Sequence, residues 1–316
     1  MPVRRTILLL LGALLITRGV SAQEPLNFVH PPPENAGDQR HSYYWEILEA
    51  ALDANKERFG PYQLRAFDAP MTFARAASEV ESGTGRVNIV ARATNLELES
   101  RLRPIPIPLD KGLLGFRLFL IREAMQPQLA EVDTLTQLKR FSIGQSTPWT
   151  DTKILAGNGF KLELSDNYES LFRMLAAGRF DLFSRGVNEI HAEWLAHREA
   201  LPELVIEERL LLQYPMPRYF FVPRTLEGER MAIRIEDGLN RLRRSGEFER
   251  RYQAYKKLVL RDVKLAGRKV FRLSNPQLSP LAPLGDPYWW EDLSTELKPD
   301  AGTKAIPRKP SPRQAQ

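Results

Sequence analysis

The chain alternates short apolar runs with stretches in which apolar residues recur every three or four positions. Runs of the first kind predict β-strands, and the longer periodic stretches predict amphipathic helices. Their order from residue 26 onward predicts a β-α-β-α-β start. The predicted strands cover residues 26–30, 62–67 and 87–91, and the predicted helices cover residues 43–58 and 71–82.

One helix-turn-strand pattern occurs twice in the chain. The first copy runs over residues 73–90 and the second over residues 168–183. In each copy an amphipathic helix is followed by a tight turn, by Gly-Arg and by a strand-like apolar run. Because each copy is a complete helix-strand unit, the repetition predicts two similar α/β halves.

Between and after the copies, apolar runs predict where the chain passes from one half to the other. The sequence LLGFRLFLI at 113–121 is typical of a strand buried on both faces, and RYFFV at 218–222 predicts the returning strand. We therefore expect an α/β fold of two lobes joined by two crossing strands, with lobe 1 made of residues 23–115 plus 216–262 and lobe 2 of residues 116–215. Further predicted elements are strands at 141–144 and 162–164, helices at 150–156 and 187–197, a segment at 205–213 that closes lobe 2, and two amphipathic helices after residue 222.

The N-terminus has the three parts of a secretory signal peptide. Arg4 and Arg5 precede ten apolar or small residues, and Ala22 ends a small-residue cleavage site. Ten helical residues extend about 15 Å, whereas the membrane hydrocarbon core is about 30 Å thick, so a retained anchor is disfavoured. No other stretch is long enough to span a membrane and no cysteine can carry a lipid. We expect residues 1–22 to be removed and the protein to reside in the periplasm of a double-membrane bacterium.

Proline dominates the end of the chain. Eight prolines between residues 276 and 312 interrupt any periodicity. Sequence of this kind lacks the regular apolar positions from which a core is built. We expect residues 263–316 to form a C-terminal extension that is disordered from about residue 274 or lies on the surface, where Tyr288, Trp289 and Trp290 offer contacts to a lobe or a partner.

Charge and cysteine content exclude several classes of protein. The formal charge of +6 falls to +3 when Arg4, Arg5 and Arg18 leave with the signal peptide. A charge this small, without a dense basic patch, argues against nucleic acid as a partner. The absence of cysteine excludes disulfides, thiol catalysis and thiolate metal sites.

Four segments, in order, resemble the type II periplasmic solute-binding proteins, specifically the amino-acid-binding family often called family 3. The resemblance covers about residues 26–257 and implies the Venus flytrap fold, in which two α/β lobes close on a small molecule. The segments are residues 82–92 with Thr94 and Arg101 after them, SIGQST at 142–147, LFRMLAAGRFDLF at 171–183 and SGEFERRYQAYKK at 245–257.

The resemblance implies how a ligand carboxylate would be held. In the family the turn after the strand at 141–144 grips this group, which implies that role for Ser146 and Thr147. The turn precedes a predicted helix, whose N-terminus suits an anion, although an ordinary turn with capping hydroxyls is the alternative. A threonine and an arginine after the first repeat also hold the carboxylate in the family. Thr94 and Arg101 match best, but the looser spacing leaves Arg92 and Arg103 open.

The second repeat copy departs from the family pattern. Family members usually place an aspartate after it to pair with the ligand ammonium, whereas here Arg185 and Gly186 follow. A cation would repel an ammonium group, so we expect an anionic or non-zwitterionic solute, with Asn188 or Glu189 as possible substitutes. Tyr43, Tyr44 and Trp149 are further candidates, because an aromatic ring could stack on the ligand. The alternative is that these side chains belong to the core. The ligand-binding candidates are Tyr43, Tyr44, Arg92, Thr94, Arg101, Ser146, Thr147, Trp149, Arg185 and Asn188.

Catalytic signatures are missing from the sequence. His191 and His197 belong to no H-E-x-x-H pattern, and Pro148 stands where a nucleophile elbow needs its last glycine. We expect no enzyme, cofactor or metal. The predicted function is that of a monomeric periplasmic binding protein that captures a small anionic or amino-acid-like solute for an ABC-type importer with an inner-membrane permease. The alternatives are a sensory protein for a membrane receptor and a periplasmic enzyme.

Overall fold

The computed structural model of the protein describes residues 25–32 and 42–299. These residues form two α/β lobes that are joined by two crossing segments, residues 110–115 and 214–217. The predicted two-lobed α/β fold is confirmed. The predicted signal peptide lies outside the described residues.

Lobe 1 is built on two small sheets that meet edge to edge. Strands β1 and β2 pair in parallel, and β11 lies between β3 and β4 in an antiparallel sheet. Asn88 links the two sheets, since its amide nitrogen donates to the Val29 carbonyl at 2.9 Å and its Oδ1 accepts from the Val29 amide at 2.8 Å. The elements are β1 (Leu26–His30), β2 (Tyr62–Ala66), β3 (Val90–Ala93), β4 (Arg103–Ile105), β11 (Arg218–Val222), α1 (Ser42–Asp53), α2 (Lys56–Phe59), α3 (Phe73–Ser82), α4 (Leu96–Arg101), α10 (Leu226–Ser245) and α11 (Glu247–Leu260).

Lobe 2 surrounds one larger mixed sheet. Its strand order is β12-β10-β5-β8-β6-β7, and β9 also pairs with β5. Strand β12 comes from the chain after α11. The elements are β5 (Phe116–Arg122), β6 (Ser142–Ser146), β7 (Lys161–Ser165), β8 (Leu182–Gly186), β9 (Leu204–Ile206), β10 (Leu210–Gln213), β12 (Lys269–Arg272), α5 (Gln126–Ala130), α6 (Leu135–Leu138), α7 (Thr150–Gly157), α8 (Tyr168–Ala176) and α9 (Ile190–His197).

The two copies of the repeated pattern occupy one lobe each, as α3-β3 and α8-β8. The predicted apolar stripe of the second helix is fully buried at Leu171, Phe172 and Leu175. Asn167 begins that helix, because its Oδ1 accepts from the Ser170 amide at 2.8 Å and so satisfies an otherwise unpaired donor. Gly178 lies in the turn between this helix and its strand, where it adopts the left-handed conformation with φ of 71°.

Several predicted elements differ in their bounds from those observed, among them the first helix and the strand at the first crossing. The helix predicted at 43–58 is divided into α1 and α2, because Asn55 is buried and donates to the Arg234 carbonyl at 2.7 Å. The strand predicted at 113–121 begins only at Phe116, after a 3₁₀ turn. The segment at 205–213, to which no element type was assigned, forms parts of two strands, because the buried carboxylate of Glu207 accepts from the Leu210 amide and forms a turn there.

The proline-rich extension is ordered as far as the structure describes it. Residues 274–299 pack along both lobes, where the sequence had left open either disorder from about residue 274 or a position on the surface. Trp289 is 4% exposed and Leu293 is fully buried. These anchors follow no helical or strand period, which is why the composition of the segment did not predict them.

Among the described residues, no helix combines the length and the apolar character needed to cross a membrane.

Candidate functional site

A cavity of about 80 Å³ lies between the lobes, where β3, β6 and β8 end. Lobe 1 contributes arginines from β3 and β11, and lobe 2 contributes the start of α7 and the residues at and after the end of β8. The lining residues are Arg92, Ala93, Leu114, Arg117, Trp149, Thr150, Asp151, Arg185, Glu189 and Arg218.

Two of the four arginines stand directly after the crossing segments. Arg117 follows the first crossing and is 1% exposed, and Arg218 follows the second and is 7% exposed. Arg117 pairs with Asp151 at 3.2 Å, and the Tyr214 hydroxyl donates to the same carboxylate at 2.5 Å. The Arg218 guanidinium lies 4.7 Å from the centre of the Tyr44 ring. Each lobe therefore places one buried guanidinium group at this cavity, close to a crossing segment.

Arg185 is held rigidly in the wall of the cavity. Its Nε and Nη2 donate to the two carboxylate oxygens of Glu193 at 2.6 and 2.5 Å, and Glu189 lies 3.1 Å from Nη2. The guanidinium stacks 4.5 Å from the centre of a Trp149 ring. Burial alone would lower the pKa of Arg185, but the carboxylates of Glu193 and Glu189 outweigh it and raise that pKa well above its ordinary value. The side chain is therefore a permanent cation.

The lining of the cavity has more cationic than anionic groups. Four guanidinium groups and two carboxylates, Asp151 and Glu189, face it, while Glu193 and Asp110 compensate Arg185 and Arg218 from outside the lining. Because the guanidinium groups are the nearer charges, a ligand in the cavity meets mainly cations, which favours an anion over a cation. A water molecule takes about 30 Å³ in the liquid, so the cavity as it stands accommodates an anionic group of a few heavy atoms.

The two lobes touch across the mouth of this cavity. Asn95 of lobe 1 donates through Nδ2 to Thr150 Oγ1 of lobe 2 at 3.0 Å. Lys153 of lobe 2 pairs with Glu97 of lobe 1 at 2.7 Å. These contacts place the lobes in a closed arrangement, so a ligand bound between them would meet both lobes at once.

A larger cavity of about 760 Å³ also lies between the lobes, along α1, α9 and α11. Glu189 lines both cavities. The rings of Tyr43 and Tyr255 stack at 4.1 Å in its wall, and Asn188 Nδ2 of lobe 2 donates to the Tyr255 hydroxyl of lobe 1 at 2.8 Å. The two cavities together form the space between the lobes on either side of Glu189.

Half of the predicted ligand-binding residues line these two cavities. Arg92, Trp149 and Arg185 line the smaller one, and Tyr43 and Asn188 line the larger one. The lining of these two cavities does not include the other five, which are Tyr44, Thr94, Arg101, Ser146 and Thr147.

Three of those five are buried, and two of them donate to carboxylates within the protein. The Tyr44 hydroxyl donates to Asp110 Oδ2 at 3.1 Å, and the Thr94 hydroxyl donates to Glu99 Oε1 at 2.5 Å. Ser146 belongs to β6, which extends two residues beyond the predicted strand, and is 3% exposed. Thr147 follows as an exposed turn residue.

Arg101 lies outside the cleft. Asn95 caps α4 by accepting from the Leu98 amide at 2.8 Å, and this short helix carries Arg101 at its far end. There Arg101 donates through Nε to Glu81 at 2.9 Å. Arg103 pairs with Glu229 at 3.0 Å. Of the arginines that the sequence analysis left open, the structure brings Arg92 to the cavity between the lobes.

Three charged lining residues were not predicted: Arg117, Asp151 and Arg218, whereas Glu189 was named as a substitute for the missing acid. Arg117 interrupts the apolar run LLGFRLFLI, and Arg218 begins the apolar run RYFFV. Because an arginine is rarely buried without a specific partner, a lone charge in such a run is a signal that could have identified both.

Comparison with known proteins supports the fold. No protein-family model matches the chain, and no curated protein matches its sequence. An ancestral arginine-binding protein bound to glutamine is 15% identical over 74% of this chain and 98% of that chain, with a TM-score of 0.50. An amino acid ABC transporter substrate-binding protein from Streptococcus pneumoniae, bound to L-arginine, is 13% identical over 75% and 94% of the two chains, with a TM-score of 0.50.

A histidine kinase sensor domain with similarity to periplasmic binding proteins is 17% identical over 73% of this chain and 96% of that chain, with a TM-score of 0.51. At identities this low, the likeness is one of fold. The chain has the fold of the periplasmic binding proteins.

Proposed function

We propose that the protein binds a small anionic solute between its two lobes. The observation that carries this proposal is the convergence of four arginines with only two carboxylates on one cavity at the closed cleft. A guanidinium can donate two parallel hydrogen bonds to a carboxylate or an oxyanion, which is the contact this cavity is suited to make.

An ordinary α-amino acid fits this arrangement poorly. Its ammonium group needs a carboxylate, but Asp151 is paired with Arg117 and Glu189 lies 3.1 Å from Arg185. Placing an ammonium beside Arg185 would add a repulsion between like charges. We therefore propose a carboxylate or oxyanion ligand without an α-ammonium group.

Titration calorimetry of matched variants tests this proposal. Arg92→Gln removes a half-buried guanidinium from the cavity, and Arg101→Gln removes an exposed one from outside it. A hydrogen bond to a charged group contributes about 1.5–3 kcal/mol, so Arg92→Gln is expected to weaken binding of the best carboxylate by about tenfold or more. Arg101→Gln is expected to leave the affinity unchanged. Equal affinities in both variants would contradict the assignment.

We further propose that the closed form delivers its solute to an ABC-type importer from the periplasm. The support is the signal-peptide pattern of the N-terminus and the occurrence of this fold in a transporter substrate-binding protein. Cells that lack the gene should then lose uptake of the labelled solute and regain it with the parent gene but not with Arg92→Gln. Normal uptake in the deleted strain would favour the second candidate, a sensory role, since a histidine kinase sensor domain also has this fold.

We propose that the solute is bound without chemical change. Both carboxylates of the smaller cavity are held in ion pairs with arginines, Asp151 at 3.2 Å from Arg117 and Glu189 at 3.1 Å from Arg185, an arrangement suited to binding. Mass spectrometry of the solute after long incubation with the protein should return its starting mass. A new mass that depends on the protein would indicate an enzyme.

A further inference from the structure

The chain after α11 passes over the hinge from lobe 2 to lobe 1 and then returns to lobe 2. We call residues 263–299 the strap. Its path can be followed through five sets of contacts, three with the lobes and two with the crossing segments.

The strap is first fixed to lobe 2. Strand β12 pairs in parallel with β10 at the edge of the large sheet. Beside it, Arg268 donates to Glu207 Oε2 at 3.3 Å and to the Leu210 carbonyl at 3.0 Å. The side chains of this ion pair are 2% and 0% exposed, so the start of the strap is part of the body of lobe 2.

The strap next contacts the second crossing segment. The Leu273 amide donates to the Gln213 carbonyl at 2.8 Å, at the entrance to that segment. Asn275 Nδ2 donates to the Pro215 carbonyl, within the segment, at 2.7 Å. Backbone rotation at Pro215 would therefore move or break a hydrogen bond from the strap.

Lobe 1 holds the strap by an aromatic anchor and by charge. The Trp289 ring packs edge to face against Phe248 of α11, with 5.2 Å between ring centres. Asp286 pairs with Arg243 of α10 at 2.8 Å. Glu291 accepts from the Tyr252 hydroxyl at 2.8 Å and pairs with Lys256 at 2.9 Å.

The same turn of the strap contacts the first crossing segment. The Glu291 amide donates to the Lys111 carbonyl at 2.7 Å, and the Trp290 ring lies 2.9 Å from the position that a Cβ at Gly112 would take. Lys111 has a φ of 50°, and so does Leu293 in the strap. Among the described residues these are the two non-glycine positions with left-handed φ. Such strain persists where the surrounding structure holds the backbone in place.

The strap finally returns to lobe 2. Leu293 is fully buried in the core of that lobe, together with Leu265. The Gly267 amide donates to the Leu297 carbonyl at 3.1 Å, which ties the end of the strap to its own beginning. The lobes are thus connected by the two crossing segments and, twice more, by the strap.

We propose that the strap limits the angle through which the two lobes open. Hinge opening requires changes of φ and ψ in a few residues of the crossing segments, and the strap bonds to both of these segments while it is anchored in both lobes. Wide opening must therefore break an anchor, whereas small rotations need not. This inference does not depend on the identity or the existence of a ligand.

Distance measurements between spin labels test the proposal directly. Because the chain contains no cysteine, labels can be placed at Ser78→Cys in lobe 1 and Glu163→Cys in lobe 2, both exposed, without other changes. In the labelled full chain carrying Trp289→Ala and Leu293→Ala, the distance distribution is expected to broaden and to extend to longer distances. The control Leu284→Ala, on the strap but 58% exposed, is expected to keep the parent distribution.

A folded Trp289→Ala and Leu293→Ala variant with the parent distribution would overturn the proposal. If circular dichroism shows that this variant does not fold, a second design retains Trp289. A protease site is inserted between Leu284 and Gly285, in a chain that carries only Leu293→Ala, and the folded protein is cut. The cut chain should show the broad distribution and the uncut chain a narrower one. Identical distributions before and after cutting would overturn the proposal as well.

Discussion

Arg185 and Glu193 form a bidentate ion pair, with nitrogen-oxygen distances of 2.6 and 2.5 Å, in which the two residues are 3% and 5% exposed. The pair lies at the end of β8, where the resembled family usually places an acid for the ligand ammonium. The charge that would meet such an ammonium is therefore an arginine whose own partner comes from α9. This relationship removes the acid that an ammonium group would need there, and it is one reason for expecting a ligand without an α-ammonium group.

Breaking this pair from one side is expected to destabilise the protein strongly. Glu193→Gln leaves a buried guanidinium with weaker compensation, and loss of one partner of a buried pair costs about 3–5 kcal/mol. Urea unfolding of parent and variant measures the difference. The exposed pair between Arg101 and Glu81 provides the control, since Arg101→Gln should cost less than about 1 kcal/mol. If both variants lost similar free energy of unfolding, burial would not determine how strongly the pair of Arg185 and Glu193 stabilises the protein.

Asp110, at the first crossing, is expected to make stability depend on pH. Burial raises the pKa of this carboxyl to about 6, against the opposing charge of Arg218. The folded protein therefore binds this proton more tightly than the unfolded chain, whose pKa is about 3.9, so the stability that Asp110 contributes is lost as pH rises from about 4 to about 6. Two pKa units correspond to about 3 kcal/mol at most.

Urea unfolding of parent and Asp110→Asn across pH 4 to 7 measures this effect. The variant cannot titrate at this position, so its stability relative to the parent should rise over this range by up to about 3 kcal/mol. A difference that stays constant with pH would show that Asp110 titrates at the same pH in the folded and unfolded chains.

The hydrogen bond between Asn95 and Thr150 is expected to favour the closed form. Thr150→Val removes the acceptor of this contact between the lobes while it nearly keeps the side-chain shape. Loss of about 1 kcal/mol from the closed form should weaken solute binding by about fivefold, because a ligand that contacts both lobes binds that form. Thr152→Val, on the same helix, loses a bond within lobe 2 to the Ser146 carbonyl and should leave affinity unchanged. Equal affinity losses by calorimetry would contradict a role in closure.

A side chain at Gly112 is expected to lower the stability of the protein in two ways, through backbone strain and through contact with Trp290. Gly112→Ala forces alanine into a φ of 70° and places its Cβ 2.9 Å from the Trp290 ring. Gly267→Ala has a similar φ of 72° with nothing within 4 Å. The backbone penalty alone is about 1–2 kcal/mol, and overpacking adds about 1–3 kcal/mol. Thermal or urea unfolding should therefore show that Gly112→Ala is less stable than Gly267→Ala. Equal losses of stability in the two variants would mean that Trp290 moves aside without cost.

The fold could be predicted because the spacing of apolar residues within a single helix or strand indicates which side chains are buried. The stripe of Leu171, Phe172 and Leu175 repeats with the period of a helix, and burial follows from that spacing alone. The same holds for β5, whose continuous apolar run after the first crossing predicted a buried strand. The two lobes and their order could therefore be predicted.

The cavity between the lobes was predicted only in part, because its residues come from distant segments. Arg92 and Arg185 follow the two repeat copies and were identified, whereas Arg117 and Arg218 reach the same cavity only through the packing of the crossing segments. Arg101 was selected because it best matched the pattern of the resembled family, although its spacing from Thr94 is looser than in that family. The helix α4, which turns it toward Glu81, is too short for a periodic signal.

The most direct test of anion binding between the lobes compares solutes that differ in one charge. Calorimetric titration of the purified protein with small carboxylates and with the carboxamides of the same shape isolates the contribution of that charge. The arginine-lined cavity predicts that at least one carboxylate binds about tenfold or more tightly than its carboxamide, a difference of about 1.4 kcal/mol or more. Equal affinities within every pair, or tightest binding of a solute with an α-ammonium group, would contradict the account.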